Sequence, residues 1–343
     1  MNYRTPLLAL LIAVTFTRCG SHDERPDISG ISVGDIHIDR FDTAFFGLDS
    51  NHIAAGLYRL DHEYPWFTGA FVSDILGAGP LTDSNHVAFE AARQFLVSYL
   101  PIRDSLEPKY RRLDWLERQL QTGFRYVKYY FPRYKLPPKV VAFIGPFDGP
   151  GVALTTYSLA IGLQSYAGRN FSLYLTPKGQ DMYPQYISRR FEPEYIAANC
   201  LSAIAGDIFP DSSDGRPLIE EMVTKGRYWW LAGRLMPDTP DSIYTGYTKA
   251  QLDWCTVNES QIWNFFLQSN DLLYTVDPDQ IKNYIGEGPK TLAMPDGSPG
   301  NIGAWVGWQI VKKYVSDHHG LTPLQLMQTP VRTIFEESKY KPR

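Results

Sequence analysis

Apolar residues recur at helical spacing along most of the chain, and only a central block alternates as strands do. From Ile31 the pattern opens as an approximate alternation, Val33, Ile36, Ile38 and Phe41, which predicts an edge strand ending in Arg40-Phe41-Asp42. Helical periods follow over residues 51–60 and 85–100. The longest predicted helix spans 107–131, where Tyr110, Leu113, Leu116, Leu120, Phe124, Val127 and Phe131 keep a three-to-four spacing. Pro108 suits its first turn, and Pro132, Pro137 and Pro138 stop it. The clearest strand is Lys-Val-Val-Ala-Phe-Ile at 139–144, with weaker ones at 160–164 and 171–175. Helix then returns over 193–208, 217–235, 249–269 and 302–315, with Thr248 and Gln251 placed as a capping box for the third. Helices on both sides of a small central sheet define a mainly helical α+β class. No repeat, low-complexity run or linker divides 31–343, so one domain is expected.

The densest apolar stretch lies within 298–315. Gly303 and Gly307 stand one turn apart in its helix, and each costs about 1 kcal/mol against alanine. Two such costs on one face predict the close approach of another backbone, with Trp305 and Trp308 packing beside the gap.

Two features change this picture of an ordinary globular chain. Arg4 precedes an apolar run from Leu7 to Phe16, too short to span a bilayer, which ends at Cys19-Gly20-Ser21. This reads as a lipoprotein leader over 1–18, an acylated Cys19 and a short tether to residue 30; a plain secretory signal and an uncleaved anchor are the alternatives. Arg18 and Phe16 depart from the small and aliphatic residues usual before such a cysteine. The remaining cysteines, Cys200 and Cys255, could pair in an oxidising compartment, yet both sit in apolar helical patterns that suit free core thiols. A net charge of −4 gives no footprint for nucleic acid.

Motifs for chemistry are sparse. His62-Glu63 begins like a zinc motif, but Trp66 holds the second ligand position and Pro65 would disrupt the helix. His318-His319 suits a solvated helix end. The loop from Gly145 to Gly151 has two prolines and no Lys-Ser/Thr, so it is a turn and not a phosphate loop. No Gly-x-Ser-x-Gly elbow occurs, Ser158 has no histidine nearby in sequence, and Ser298 sits in a turn that needs no chemistry to explain it. One constellation stands out: Trp254, Asn258, Glu259 and Trp263, expected on a single helix. An inward Glu259 needs a partner, either in a buried hydrogen-bond network or at the floor of an aromatic binding cleft that Trp305 and Trp308 would extend.

These stretches carry a resemblance. Trp254-Cys255 with Asn258-Glu259 and Trp263, Gly288-Pro289, the block from Ser298 to Val311, and the ending Glu337-Ser-Lys-Tyr-Lys-Pro together resemble the GldB-type gliding motility lipoproteins. The resemblance implies an envelope lipoprotein required for gliding and linked to the type IX secretion machinery. Its partners would be the membrane, through Cys19, and other envelope proteins; no cofactor or catalytic activity is implied. At a distance the group is similar to zincin-type metallopeptidases, which carry His-Glu-x-x-His on a helix and a third ligand, commonly glutamate, on the next. By order along the chain those helices fall near 194–199 and 220–226, where this sequence has no histidine and places Lys225 where a glutamate is expected. All seven histidines lie at or before His86 or at His318-His319, so a degenerate scaffold without metal is expected. Two other readings remain: an envelope peptide- or glycan-binding protein with an aromatic cleft, and a hydrolase with an unrecognised site.

Overall fold

In the computed structural model, residues 25–82, 86–268 and 271–342 are described. The leader and Cys19 lie outside them, as do Asn85 and Ser269 at two predicted helix ends. Among the described residues no helix is long and apolar enough to cross a membrane.

Four strands form one mixed sheet in the order β1-β2-β4-β3. They are β1 (Ile38–Arg40), β2 (Lys139–Phe143), β3 (Val152–Leu154) and β4 (Ser158–Gly162). β2 runs parallel to β1 and to β4, with Ile38 opposite Val140 and Val141 opposite Ala160, while β3 pairs antiparallel with β4. The two inner strands are buried along nearly their whole length, which is why 139–144 reads as an unbroken apolar run instead of an alternation. β1 takes the predicted edge but is only three residues long, since residues 31–37 are not strand and a short helix begins at Phe41. β3, three half-buried residues behind a glycine-rich loop, was too short to anticipate.

The chain between β1 and β2 supplies the helical cover that a parallel crossover requires, through α1 (Ile53–Glu63), α2 (His86–Tyr110) and α3 (Asp114–Tyr130). Phe41, Phe67, Phe71 and Phe143 cluster beneath it in edge-on and tilted contacts, the closest pair, Phe41 and Phe67, edge-on with ring centres 4.8 Å apart. The predicted helix over 107–131 is broken. α2 runs on through Pro101 and Pro108, both exposed, so that the carbonyls they free can reach water. The Arg40 guanidinium then takes the Tyr110 carbonyl at 2.8 Å, a contact from 70 residues away. Arg40 is also held by Asp42 at 2.7 Å, whose hydrogen bond raises the arginine's already high pKa, and this explains the Arg-Phe-Asp triplet. The expected strand at 171–175 is a run of turns instead. Its bonds Phe171 to Gly168 and Tyr174 to Phe171 close short loops, and the buried Tyr174 hydroxyl donates to the Gln164 carbonyl.

The second half is helical: α4 (Ile196–Ile208), α5 (Leu218–Leu235), α6 (Asp241–Thr245), α7 (Lys249–Val257), α8 (Glu259–Gln268), α9 (Ile302–Asp317) and α10 (Val331–Ser338). α5 and α9 cross in direct backbone contact. A Cβ on Gly307 would stand 1.7 Å from the Met222 carbonyl oxygen, and one on Gly226 would stand 2.2 Å from the Gly307 carbonyl carbon. The glycine spacing in the sequence therefore marks a real close approach. Capping-box geometry at Thr248 is also present. Residues 249–268 form two helices instead of one, because Asn258 ends the first by donating its side-chain amide to the Trp254 carbonyl at 2.7 Å. Cys200 and Cys255 are buried free thiols.

Candidate functional site

Beside the β3 edge of the sheet lies a cleft of about 500 Å³. One wall is the glycine-rich loop into β3, with Gly149, Gly151 and Val152. Tyr183, Ile187, Arg190 and Phe191 come from the segment before α4, and Tyr195 and Asn199 from its start. Trp229 of α5, residues 243–246 around α6, Glu287 and Asn301 close the far side.

The side chains divide into tied and untied groups. Tyr183 donates to the Phe147 carbonyl and Tyr244 to Asp241, so both rings are fixed as walls. Arg190 and Glu287 form a two-pronged pair at 3.0 Å on each prong. Behind it, the Arg189 guanidinium donates to the Gly246 carbonyl at 2.7 Å, and burial foremost, then Arg190, draws its pKa down. Tyr166 accepts the Asn199 amide at 2.8 Å, which leaves its own proton to give. Tyr195 is 8% exposed, and its hydroxyl has no hydrogen-bond partner among the described residues. Asn301 stands in left-handed backbone at φ 59°, and its Oδ1 is buried without a hydrogen-bond partner among the described residues. Burial pushes the phenols of Tyr166, Tyr183, Tyr195 and Tyr244 above their ordinary range. At neutral pH the cleft thus offers neutral donors, one buried amide acceptor and aromatic faces around a single ion pair. This suits recognition of a polar, partly apolar segment. Among the described residues no three His, Cys, Asp or Glu side chains converge to hold a metal.

Of the residues expected from sequence, only Trp308 adjoins this cleft. It packs edge-on behind Trp229 at 6.1 Å and Tyr244 at 6.2 Å. Trp305 is sealed in the α9 core at 2% exposure. Trp254 lines a separate notch of about 190 Å³ with Ile262, Phe265 and Met294. Glu259 and Trp263 instead receive the C-terminal Tyr340: its hydroxyl donates to Glu259 at 2.6 Å, and its ring meets Trp263 edge-on at 5.1 Å. The constellation is therefore split between α7 and α8, and its carboxylate finds its partner in a hydrogen bond from tyrosine. Burial, then Glu259, pushes the Tyr340 phenol up, so it stays a donor. Tyr340→Phe should cost about 2 kcal/mol, the scale of a hydrogen bond to a charged acceptor, read as a lower Tm. Lys225 turns away from the cleft to Asp211 at 2.8 Å.

Sequence reading passed over Tyr166, Arg190, Trp229, Glu287 and Asn301. Tyr195 and Asn199 were in view only as the segment where metal ligands were missing. Their four-residue spacing was the available signal, since it puts both at the start of one helix.

Fold and cleft define the class: a helix-rich α+β protein with a small mixed sheet and an aromatic cleft at its antiparallel edge. The particular family follows from the sequence. Residues 21–342 match gliding motility protein GldB, and the chain belongs to that lipoprotein family, which implies a role in gliding motility and a place at the cell envelope. Comparison with the curated proteins returns no match. Comparison with solved structures also returns none.

Proposed function

We propose that this chain serves gliding without catalysis, as a membrane-anchored accessory that holds a peptide or saccharide segment of an envelope partner in the Tyr195–Asn199 cleft. The observation that carries the reading is the pair Tyr195 and Asn199, four residues apart and facing the cleft, with Trp229 opposite on the following helix. On a zincin-like scaffold the places of Tyr195 and Asn199 would hold imidazoles. Here a phenol kept neutral by burial and an amide can donate and accept hydrogen bonds but cannot activate water. The partner belongs to the gliding and type IX secretion machinery, with Cys19 as the acyl anchor.

Cys19→Ala should move the protein from the membrane to the soluble fraction of cells; unchanged membrane association contradicts the anchor. Metal analysis of the purified protein should find less than stoichiometric zinc. One tightly held zinc per chain together with peptidase activity would overturn the non-catalytic reading.

A further inference from the structure

We propose that the end of α3 and the loop after it, with Tyr129, Arg133 and Lys135 exposed, form a surface that rests on anionic lipid headgroups. This rests on the lipoprotein reading at Cys19.

The first observation is the anchoring of Arg25, six residues beyond Cys19. Arg25 is pinned to the α5–α6 corner, donating to the Pro237 carbonyl at 3.0 Å and pairing with Asp238. Six residue steps separate Cys19 from Arg25, a reach of about 20 Å at full extension. An acylated Cys19 would therefore hold the bilayer close to whatever surrounds Arg25. Tyr126 is among those neighbours, on α3, the helix that packs against α5; its phenol is pushed up by burial first and Asp238 next, with Arg25 opposing. Tyr126 stacks on Tyr130 at 6.3 Å, and Tyr130 meets Tyr129 edge-on at 5.1 Å. A row of tyrosines thus leads from the tether to the open end of α3, where Tyr129 is 44% exposed.

Charge supplies the second observation. From Arg125 to Lys139 the chain carries five cations and no acid, although its net charge is −4. Lys128 is consumed locally, donating to the Pro132 and Tyr134 carbonyls at 2.6 and 2.9 Å, which stiffens the loop. Lys139 pairs with Asp39 at 3.6 Å. Arg133 and Lys135 are exposed and have no ion-pair partner among the described residues. The nearby acids are already engaged, Asp207 by the Tyr134 hydroxyl at 2.8 Å and Asp238 by Arg25. Tyrosine suits the headgroup layer because its ring is apolar and its tip wet, and free cations beside it favour anionic lipid.

Full-length acylated protein in vesicles of phosphatidylcholine with about one-third phosphatidylglycerol tests the idea. A fluorophore on Tyr129→Cys should be quenched by headgroup-labelled lipid, and one on Val257→Cys should not; the native thiols, buried and pushed up by burial, stay unlabelled. Arg133→Glu with Lys135→Glu should abolish the Tyr129 quenching while the protein stays on the vesicles through its anchor. Equal quenching at both sites, or quenching untouched by the charge reversal, would overturn the proposal. A Cys19→Ala chain separates the two readings. It should still bind the anionic vesicles weakly, losing about thirtyfold or more with the charge reversal, whereas no such loss contradicts the surface whatever the fate of the anchor.

Discussion

Gly307→Ala should lower stability by about 3 kcal/mol, a Tm drop of roughly 5–10 °C in thermal unfolding. The added methyl would sit 1.7 Å from the Met222 carbonyl oxygen and 2.3 Å from its carbon, so the obstacle is backbone and no rotamer change relieves it. α5 and α9 must move apart along the crossing that joins the cleft wall to the core. Alanine's better helix propensity returns only about 1 kcal/mol and does not reverse the sign. Gly303→Ala is the internal control. Its methyl would meet the Ile285 and Met222 side chains at 2.8 and 3.0 Å, groups able to shift, although the Tyr284 carbonyl at 3.0 Å limits the relief. A smaller loss is expected there. Wild-type melting of Gly307→Ala would mean that the two helices do not touch as described.

Filling the cleft should abolish gliding without unfolding the protein. Asn199 is exposed at the cleft's edge, so Asn199→Trp adds a ring where a ligand would sit and displaces no core side chain. Colony spreading should fall to the level of a deletion strain while protein abundance and Tm stay near wild type. Asn199→Ala removes only the 2.8 Å bond to Tyr166, a loss of about 1 kcal/mol, and should leave measurable spreading. Trp254→Ala should spread normally, because Trp254 faces the small notch by α8 and does not line the cleft. Normal spreading by Asn199→Trp would remove the cleft from the account.

Sequence disclosed those parts of the fold that depend on neighbours in the chain. The α3 stripe, the buried β2 run, the Thr248 capping box and the glycine pair were all legible because periodicity or composition carries them locally. Helix breaks were not. One depends on Arg40 reaching the Tyr110 carbonyl across 70 residues, and another on a single asparagine amide bonding back to Trp254. Aromatic composition at 171–175 suggested a strand, whereas the buried Tyr174 hydroxyl anchors a turn. The cleft was least visible of all. Its lining comes from segments scattered between Gly149 and Asn301, and none of them carries a chemical motif. Trp254, Glu259 and Trp263 drew attention because they cluster in sequence, yet the fold sends one to a notch and the other two to the C-terminal Tyr340.

The central claim, that this protein works by holding a partner in the cleft, is most directly tested by photocrosslinking in gliding cells. A benzoylphenylalanine at Ile243, on the cleft wall, should yield a discrete covalent adduct that disappears when Asn199→Trp is added, while the same probe at the 84% exposed Val257 should yield none. An Ile243 adduct that persists beside Asn199→Trp, or one matched at Val257, would contradict it.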